Sequence, residues 1–356
     1  MSLNYAFGFS LFLLILVALN IYFFYTLNSV RKDAHNVKIE NAISIDVEPS
    51  IFKDINEHLN YLPNQYRTKN IKFANIQRSL VHSFNFTNRL PTSNVWDVTE
   101  SWQGEDSLFP HENGAAGHLQ HAIRNARIVL ADNAPKGTQL KLLLLLEGKQ
   151  KLYFKPKWYN LSQVIDGKIY NGFDRHNSEV FAYYLAMVLN FKWIPPSVIR
   201  RVNFNQEILP VATVGLKRSM VKNGSGSMCI YGKCYYCNIN THVCPSTKGE
   251  IEGAVILYFE KPFRIFPSPW RRSYNNKKKM DWETNNDFCK KVTGTHSMKR
   301  ILNLVDVAIF DFFIQNGDRH HLEVYKDKIV LLDNGKGLGN PAVDVMDVLA
   351  PLYQCC

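Results

Sequence analysis

Four residues of this 356-residue chain stand in an order that can move a phosphoryl group. Lys155 falls on a predicted strand and Glu179 opens a predicted helix. Asp318 begins the turn Asp318-Arg319-His320-His321, and Asp333 begins Asp333-Asn334-Gly335. Phosphoryl transfer asks for little covalent chemistry from a protein. It needs a cation on the phosphates, a carboxylate holding divalent metal, and a second carboxylate to take the attacking hydroxyl's proton. Lys155 would supply the cation, Asp333 the metal ligand and Asp318 the base. Each also has a plainer explanation: an exposed strand lysine, a glutamate serving the helix dipole, an ion-pair cluster, a tight turn. The ordered set is much rarer by chance. A metallohydrolase built on His320, His321 and Asp333 is the competing reading, but the two histidines read better as supports of the turn.

These residues need elements to carry them. Residues 140–146 form an apolar run suited to a buried strand, 147–150 a hairpin turn and 151–155 the returning strand. Residues 178–190 have helical periodicity, with Asn177 placed to cap the start. Another apolar strand covers 251–259, and 301–314 repeats its apolar residues at three and four, as a helix does. Residues 323–332 read as a hairpin turning at 326–328, which delivers Asp333 at a strand end and lets both carboxylates converge on one pocket. Before this block, 74–130 reads as short helical patterns between loops. Strands, one helix, another strand and then a mostly helical half is the order of a kinase small lobe followed by a large lobe. The fold class expected is therefore α+β.

Charge and cysteine set the surroundings. A formal net charge of +11 favours anionic partners such as nucleotides, glycosaminoglycans or acidic peptides. The basic residues are spread out, and the one dense run, 271–279, reads as a solvated loop, so no nucleic-acid stripe is expected. Residues 7–27 are apolar and uncharged, long enough to cross a bilayer. The run exceeds a signal-peptide core and no small-x-small site follows, which favours a retained anchor. Arg31 and Lys32 follow it, which by the positive-inside rule puts the bulk of the chain in the cytosol. Cysteine chemistry points the other way. Cys229, Cys234, Cys237 and Cys244 crowd one loop, and Cys355 and Cys356 are adjacent. With no second Cys-x-x-Cys knuckle, zinc is the weaker reading and disulfides in an oxidising lumen the better one. The sequons at Asn85, Asn160 and Asn223 agree. The expected organisation is an anchor over 1–29, a stem over 30–75, an N-terminal segment with the small lobe over 76–260, and the large lobe over 261–356.

Several runs carry a resemblance. They are Phe154-Lys155-Pro156, Asp174-Arg175-His176-Asn177-Ser178-Glu179, Cys229-Ile230-Tyr231-Gly232-Lys233-Cys234-Tyr235-Tyr236-Cys237, Gly317-Asp318-Arg319-His320-His321 and Cys355-Cys356. From about Gly137 to its end the chain resembles the Golgi secretory kinases related to four-jointed. Lys136-Gly137-Thr138-Gln139-Leu140-Lys141 and Ala350-Pro351-Leu352-Tyr353-Gln354 bring it nearest to that family's glycosaminoglycan xylosylkinase branch. The resemblance implies an atypical two-lobed protein-kinase-like fold with a disulfide-rich insertion. The family continues past the double cysteine, so the C-terminal lobe is expected to be incomplete.

The resemblance also implies roles. Lys155 and Gln139 would contact ATP phosphates, with Glu179 pairing Lys155. Asp174 and Asp333 would hold Mn2+ or Mg2+, and Asp318 would be the base. Glu323 would approach the nucleotide, and Ile256, Leu257, Tyr258 and Phe259 would form the hinge against adenine. Disulfides would join Cys229 to Cys244, Cys234 to Cys237, and Cys289 to one of the final pair, Cys355 ahead of Cys356. The implied reaction phosphorylates the 2-hydroxyl of xylose in the galactosyl-xylose linkage of proteoglycans, in the lumen, by a single-pass Golgi membrane protein. A luminal protein serine kinase is the alternative, with Arg271, Arg272 and 277–279 attracting acidic peptides. A pseudokinase activator ranks last, because Asp174, Glu179, Asp318 and Asp333 are all present.

Overall fold

The computed structural model describes residues 92–101, 108–109, 116–275, 278–285 and 287–355. The anchor and stem expected over 1–75, the sequon at Asn85 and Cys356 lie outside the described residues. The chain divides into units 1–68 and 69–356, and everything described falls in the second. No helix among the described residues is long and apolar enough to cross a membrane.

A five-stranded antiparallel sheet comes first in the chain. Its strands are β1 (Ile128–Asn133), β2 (Leu142–Leu146), β3 (Lys151–Pro156), β4 (Ser197–Asn203) and β7 (Glu250–Leu257), in the order β1-β2-β3-β7-β4. Leu142, Leu144 and Leu146 are fully buried and alternate with half-buried Leu143 and Leu145, so the five-leucine run is a strand covered on both faces. Helices α1 (Thr92–Ser101) and α2 (Ala116–Asn125) share its core. The β2–β3 turn needs Gly148. Its φ is +79°, and a Cβ there would sit 2.4 Å from the Trp96 ring, whose indole N–H donates to the Glu147 carbonyl at 2.9 Å.

Between β3 and β4 lies α3 (His176–Val188). The helix begins two residues earlier than expected, with Arg175 in the capping position, so Asn177 is inside the first turn and caps nothing. Ser178 donates instead to the Asn334 carbonyl at 2.7 Å, tying the helix to the segment after Asp333. Val180 packs on Ala254 and Ile256 of the sheet, whereas Ala182, Tyr183, Ala186 and Met187 belong to the second core. The helix thus joins the two halves.

The cysteine loop follows β4. Short strands β5 (Met220–Lys222) and β6 (Met228–Ile230) pair, and Cys229–Cys244 and Cys234–Cys237 are disulfides. Bonded to each other, Cys229 and Cys244 have no thiolates left for zinc. The second half holds α4 (Met298–Phe313), capped by Ser297, and a three-stranded sheet of β8 (Arg264–Pro267), β9 (His321–Tyr325) and β10 (Lys328–Val330). Its core gathers Tyr183, Trp270, Trp282, Phe310 and Leu322. Cys289–Cys355 ties α5 (Ala350–Cys355) back to it.

Five strands escaped the sequence reading: β5 and β6 inside the cysteine loop, and three others. β1 falls at the end of a stretch read as helical patterns, β4 follows Pro195-Pro196, and β8 is four residues long and largely exposed. β8 in particular is too short to show an alternating pattern, and its pairing with β9 makes it a strand.

Candidate active site

Lys155 is the centre. It lies between buried Phe154 and Pro156 at the end of β3, and its side chain is 5% exposed. The ammonium donates to Asp174 Oδ2 at 2.8 Å, to Glu179 Oε1 at 2.6 Å, and to Asp333 Oδ1. Three elements deliver these carboxylates. Asp174 comes from the approach to α3, Glu179 from its first turn, and Asp333 from the end of the β9–β10 hairpin. Burial opposes the Lys155 charge, but the Asp174, Asp333 and Glu179 carboxylates outweigh it and hold the ammonium protonated. In turn Lys155 holds the Asp333 carboxyl well below the usual carboxylate range.

The backbone is shaped for this meeting. Asp333 has φ +61°, a left-handed conformation that a non-glycine residue keeps only where its surroundings enforce it. Gly335 passes so close to Asp174 that a Cβ would lie 2.7 Å from the Asp174 Cβ. Arg175 clamps the same stretch: its backbone N–H donates to the Gly335 carbonyl at 2.7 Å, and its guanidinium to the carbonyls of Gly337 and Lys336.

Carboxylate oxygens of Asp174, Glu179 and Asp333 lie within 4.8 Å of one another. An all-oxygen anionic donor set of this kind suits a hard divalent cation such as Mg2+ or Mn2+. His320 and His321 are not among the ligand clusters of the described residues. Their rings contact each other at 4.4 Å, and His321 Nε2 pairs with Glu323 Oε1 at 3.1 Å.

Asp318 stands apart from the three, on the turn after α4. Burial pushes its carboxyl up; a hydrogen bond donated by the Tyr274 hydroxyl and the charge of Lys336 pull the other way. The turn is bolted down by Arg319. Its guanidinium grips Asp311 of α4 at 2.9 and 2.8 Å, reaches Asn334 Oδ1 at 2.6 Å, and donates to the Leu332 carbonyl. One cation thereby fixes the Asp318 turn and the Asp333 segment to the same helix.

Two other expected nucleotide contacts lie around this centre. Ile256 and Leu257 end β7, and Tyr258 donates its backbone N–H to the Lys151 carbonyl at 3.2 Å, so 256–259 runs beside β3. Glu323 is 8% exposed on β9. Gln139 forms no hydrogen bond with Asp174, Glu179 or Asp333. It lines a small cavity with Trp158, Phe173 and Cys237, and its Oε1 is buried without a hydrogen-bond partner among the described residues. Such an orphaned acceptor fits a residue awaiting a ligand's donor.

Asp311, Arg319 and Tyr274 were missed as site residues. The signal for Asp311 was present: it is an acid on the apolar face of α4, where only a buried partner makes it tolerable. Tyr274 had none, because its role depends on where a loop folds.

The family model described as Fam20C, Golgi casein kinase, C-terminal, Fam20 matches residues 94–356. The glycosaminoglycan xylosylkinase homolog of Drosophila melanogaster is 37% identical over 342 residues, covering 95% of this chain and 78% of that protein. The human glycosaminoglycan xylosylkinase is 42% identical over 272 residues, covering 73% of this chain and 66% of its own length. Among solved structures, hydra Fam20 with sugar matches with a TM-score of 0.70 and 38% identity, over 74% of this chain and 78% of that one. The Golgi casein kinase with Mn/ADP bound has the same fold, at a TM-score of 0.69 and 24% identity over 90% of this chain and 80% of that one.

Proposed function

The chain belongs to the Fam20 family of Golgi kinases, and on that premise we propose that it is a glycosaminoglycan xylosylkinase. It transfers the γ-phosphoryl group of ATP to the 2-hydroxyl of xylose in the galactosyl-xylose linkage region of proteoglycans. The observation that carries the reading is the Lys155 ammonium held among Asp174, Glu179 and Asp333. One buried cation beside three acids from three elements is costly to build. It is useful where triphosphate and divalent metal arrive together.

The roles follow from the chemistry. Lys155 binds the phosphates, and Glu179 orients it. Asp174 and Asp333 would hold Mn2+ or Mg2+, which when bound neutralises charge on the phosphates. Gln139 and Glu323 face the nucleotide, and the 256–259 strand end borders adenine. Asp318 accepts the proton of the xylose 2-hydroxyl while its oxygen bonds to the γ-phosphorus and the bond to the ADP oxygen breaks. Its burial-raised pKa makes it a better proton acceptor than an exposed carboxylate. Arg319 positions this base and touches no substrate. The three disulfides suit the oxidising Golgi lumen. With residues 7–27 as a single-pass anchor, the kinase would be luminal.

The test is phosphate transfer from labelled ATP with Mn2+ to galactosyl-xylose and, in parallel, to casein. Labelled disaccharide with unlabelled casein is the expected result. Labelled casein alone would make it a protein kinase, and silence on both would defeat the kinase reading.

A further inference from the structure

Beside the catalytic residues lies a cavity of about 420 Å³ to which none of the roles above assigns a ligand. Its lining brings together Lys168, Arg175, Arg272, Lys278, Lys279 and Lys336, against Glu283 as the acid. Two of these cations are already engaged: Arg272 grips Asp347, and Lys336 donates to the Gly172 carbonyl and lies 3.9 Å from Asp174. Glu283 accepts the Met280 backbone N–H at 2.6 Å. Among the described residues no ion pair engages Lys168, Lys278 or Lys279.

Arg175 gives the second, independent sign. The residue is 4% exposed, two of its guanidinium nitrogens are used by the Gly337 and Lys336 carbonyls, and the third, Nη1, is buried with no acceptor among the described residues. A buried guanidinium nitrogen without an acceptor is costly, and a carboxylate oxygen would give it a single charge-assisted hydrogen bond. The cavity also abuts the base. Tyr170, on its rim, packs edge-on against Tyr274 at 5.0 Å, and the Tyr274 hydroxyl donates to Asp318.

A galactosyl-xylose disaccharide is neutral and brings these cations no opposite charge. The protein chain carrying it can. We infer that this cavity binds acidic side chains of the polypeptide next to the glycosylated residue, so that the enzyme reads the peptide as well as the sugar. The inference rests on the function proposed above. Exposed Lys168 and Lys279 attract the peptide at a distance, and buried Arg175 accepts one carboxylate at the end of the path.

The test separates the two readings by measuring binding apart from transfer. Fluorescein-labelled peptides without sugar, one carrying Asp and Glu around its serine and one with Asn and Gln instead, are titrated with the full chain. The acidic peptide should bind roughly tenfold tighter or better, with the preference shrinking as salt rises. Lys168→Ala/Lys279→Ala, and separately Lys279→Glu, should abolish the preference. Lys217→Ala/Lys222→Ala, on exposed lysines of the other half, should preserve it. No preference in the parent chain overturns the inference. So does equal loss in the control pair, which would indicate net charge alone. Competition by ADP with Mn2+ also overturns it, because the cavity would then be part of the nucleotide's phosphate seat. If peptide binding behaves as expected but galactosyl-xylose is never labelled, the acceptor reading falls while the cavity's role stands.

Discussion

At the scale of single residues, the site turns on what Asp318 does with a proton. Asp318→Asn keeps the shape and removes the acceptor, so turnover should fall by roughly 10²–10⁴-fold. Nucleotide binding should stay largely unchanged, because Asp318 makes no contact with Lys155, Asp174 or Glu179. Unchanged turnover would remove Asp318 from the mechanism. Tyr274 offers a finer probe. Its hydroxyl donates to Asp318, which favours the carboxylate and lowers a pKa that burial has raised. The base must be ionised, so kcat/KM falls as pH drops through that pKa. In Tyr274→Phe the lowering bond is gone, the pKa rises further, and the acid limb of the kcat/KM profile should move to higher pH. An acid limb that stays put or moves down would mean that this bond does not tune the base.

At the scale of elements, the buried pair Arg319–Asp311 connects helix to catalytic turn, at 8% and 3% side-chain exposure. Removing one partner of such a pair strands the other. Arg319→Met should therefore cost about 3–5 kcal/mol of stability, read from urea unfolding. A loss below about 1 kcal/mol would show Asp311 neutralised or hydrated instead, and would remove the pair as the fastener of the site. Elements also explain what could be read from sequence. Lys155, Glu179 and Asp333 were legible because each sits at a fixed place on a strand, helix or hairpin with its own periodic signal. The capping residue of α3 was not: Asn177 is a good cap by type, but Arg175 clamping the 335–337 backbone decides where the helix starts. Nor were β4 and β8, whose pairing partners lie far along the chain. Tyr274 reaches Asp318 across 44 positions, and local sequence carries no trace of such a contact.

At the scale of the whole molecule, two cores meet at one cluster of charge. The sheet half contributes Lys155, the second half contributes Asp333, and α3, packed into both, contributes Glu179. Three carboxylates against one ammonium leave two negative charges on the directly bonded apo cluster, and burial works against the charges of Lys141 and Lys336 beside it. A metal ion arriving alone must compete with Lys155 for the same oxygens. A nucleotide arriving alone brings its phosphates toward three acids. Together the metal cancels the acids while the phosphates occupy Lys155, so each ligand removes the obstacle to the other. Binding should therefore be strongly cooperative. In thermal unfolding of the full chain, Mn2+ alone and ADP alone should each raise the midpoint only slightly. The pair should exceed the sum of the two, approaching the shift expected for about 2.7 kcal/mol when free ligand is a hundredfold above Kd. A chelator should return the protein holding both ligands to the midpoint of ADP alone. Strictly additive shifts would mean that Asp174 and Asp333 do not share a metal with the nucleotide, and the proposed division of labour between Lys155 and the carboxylates would fail.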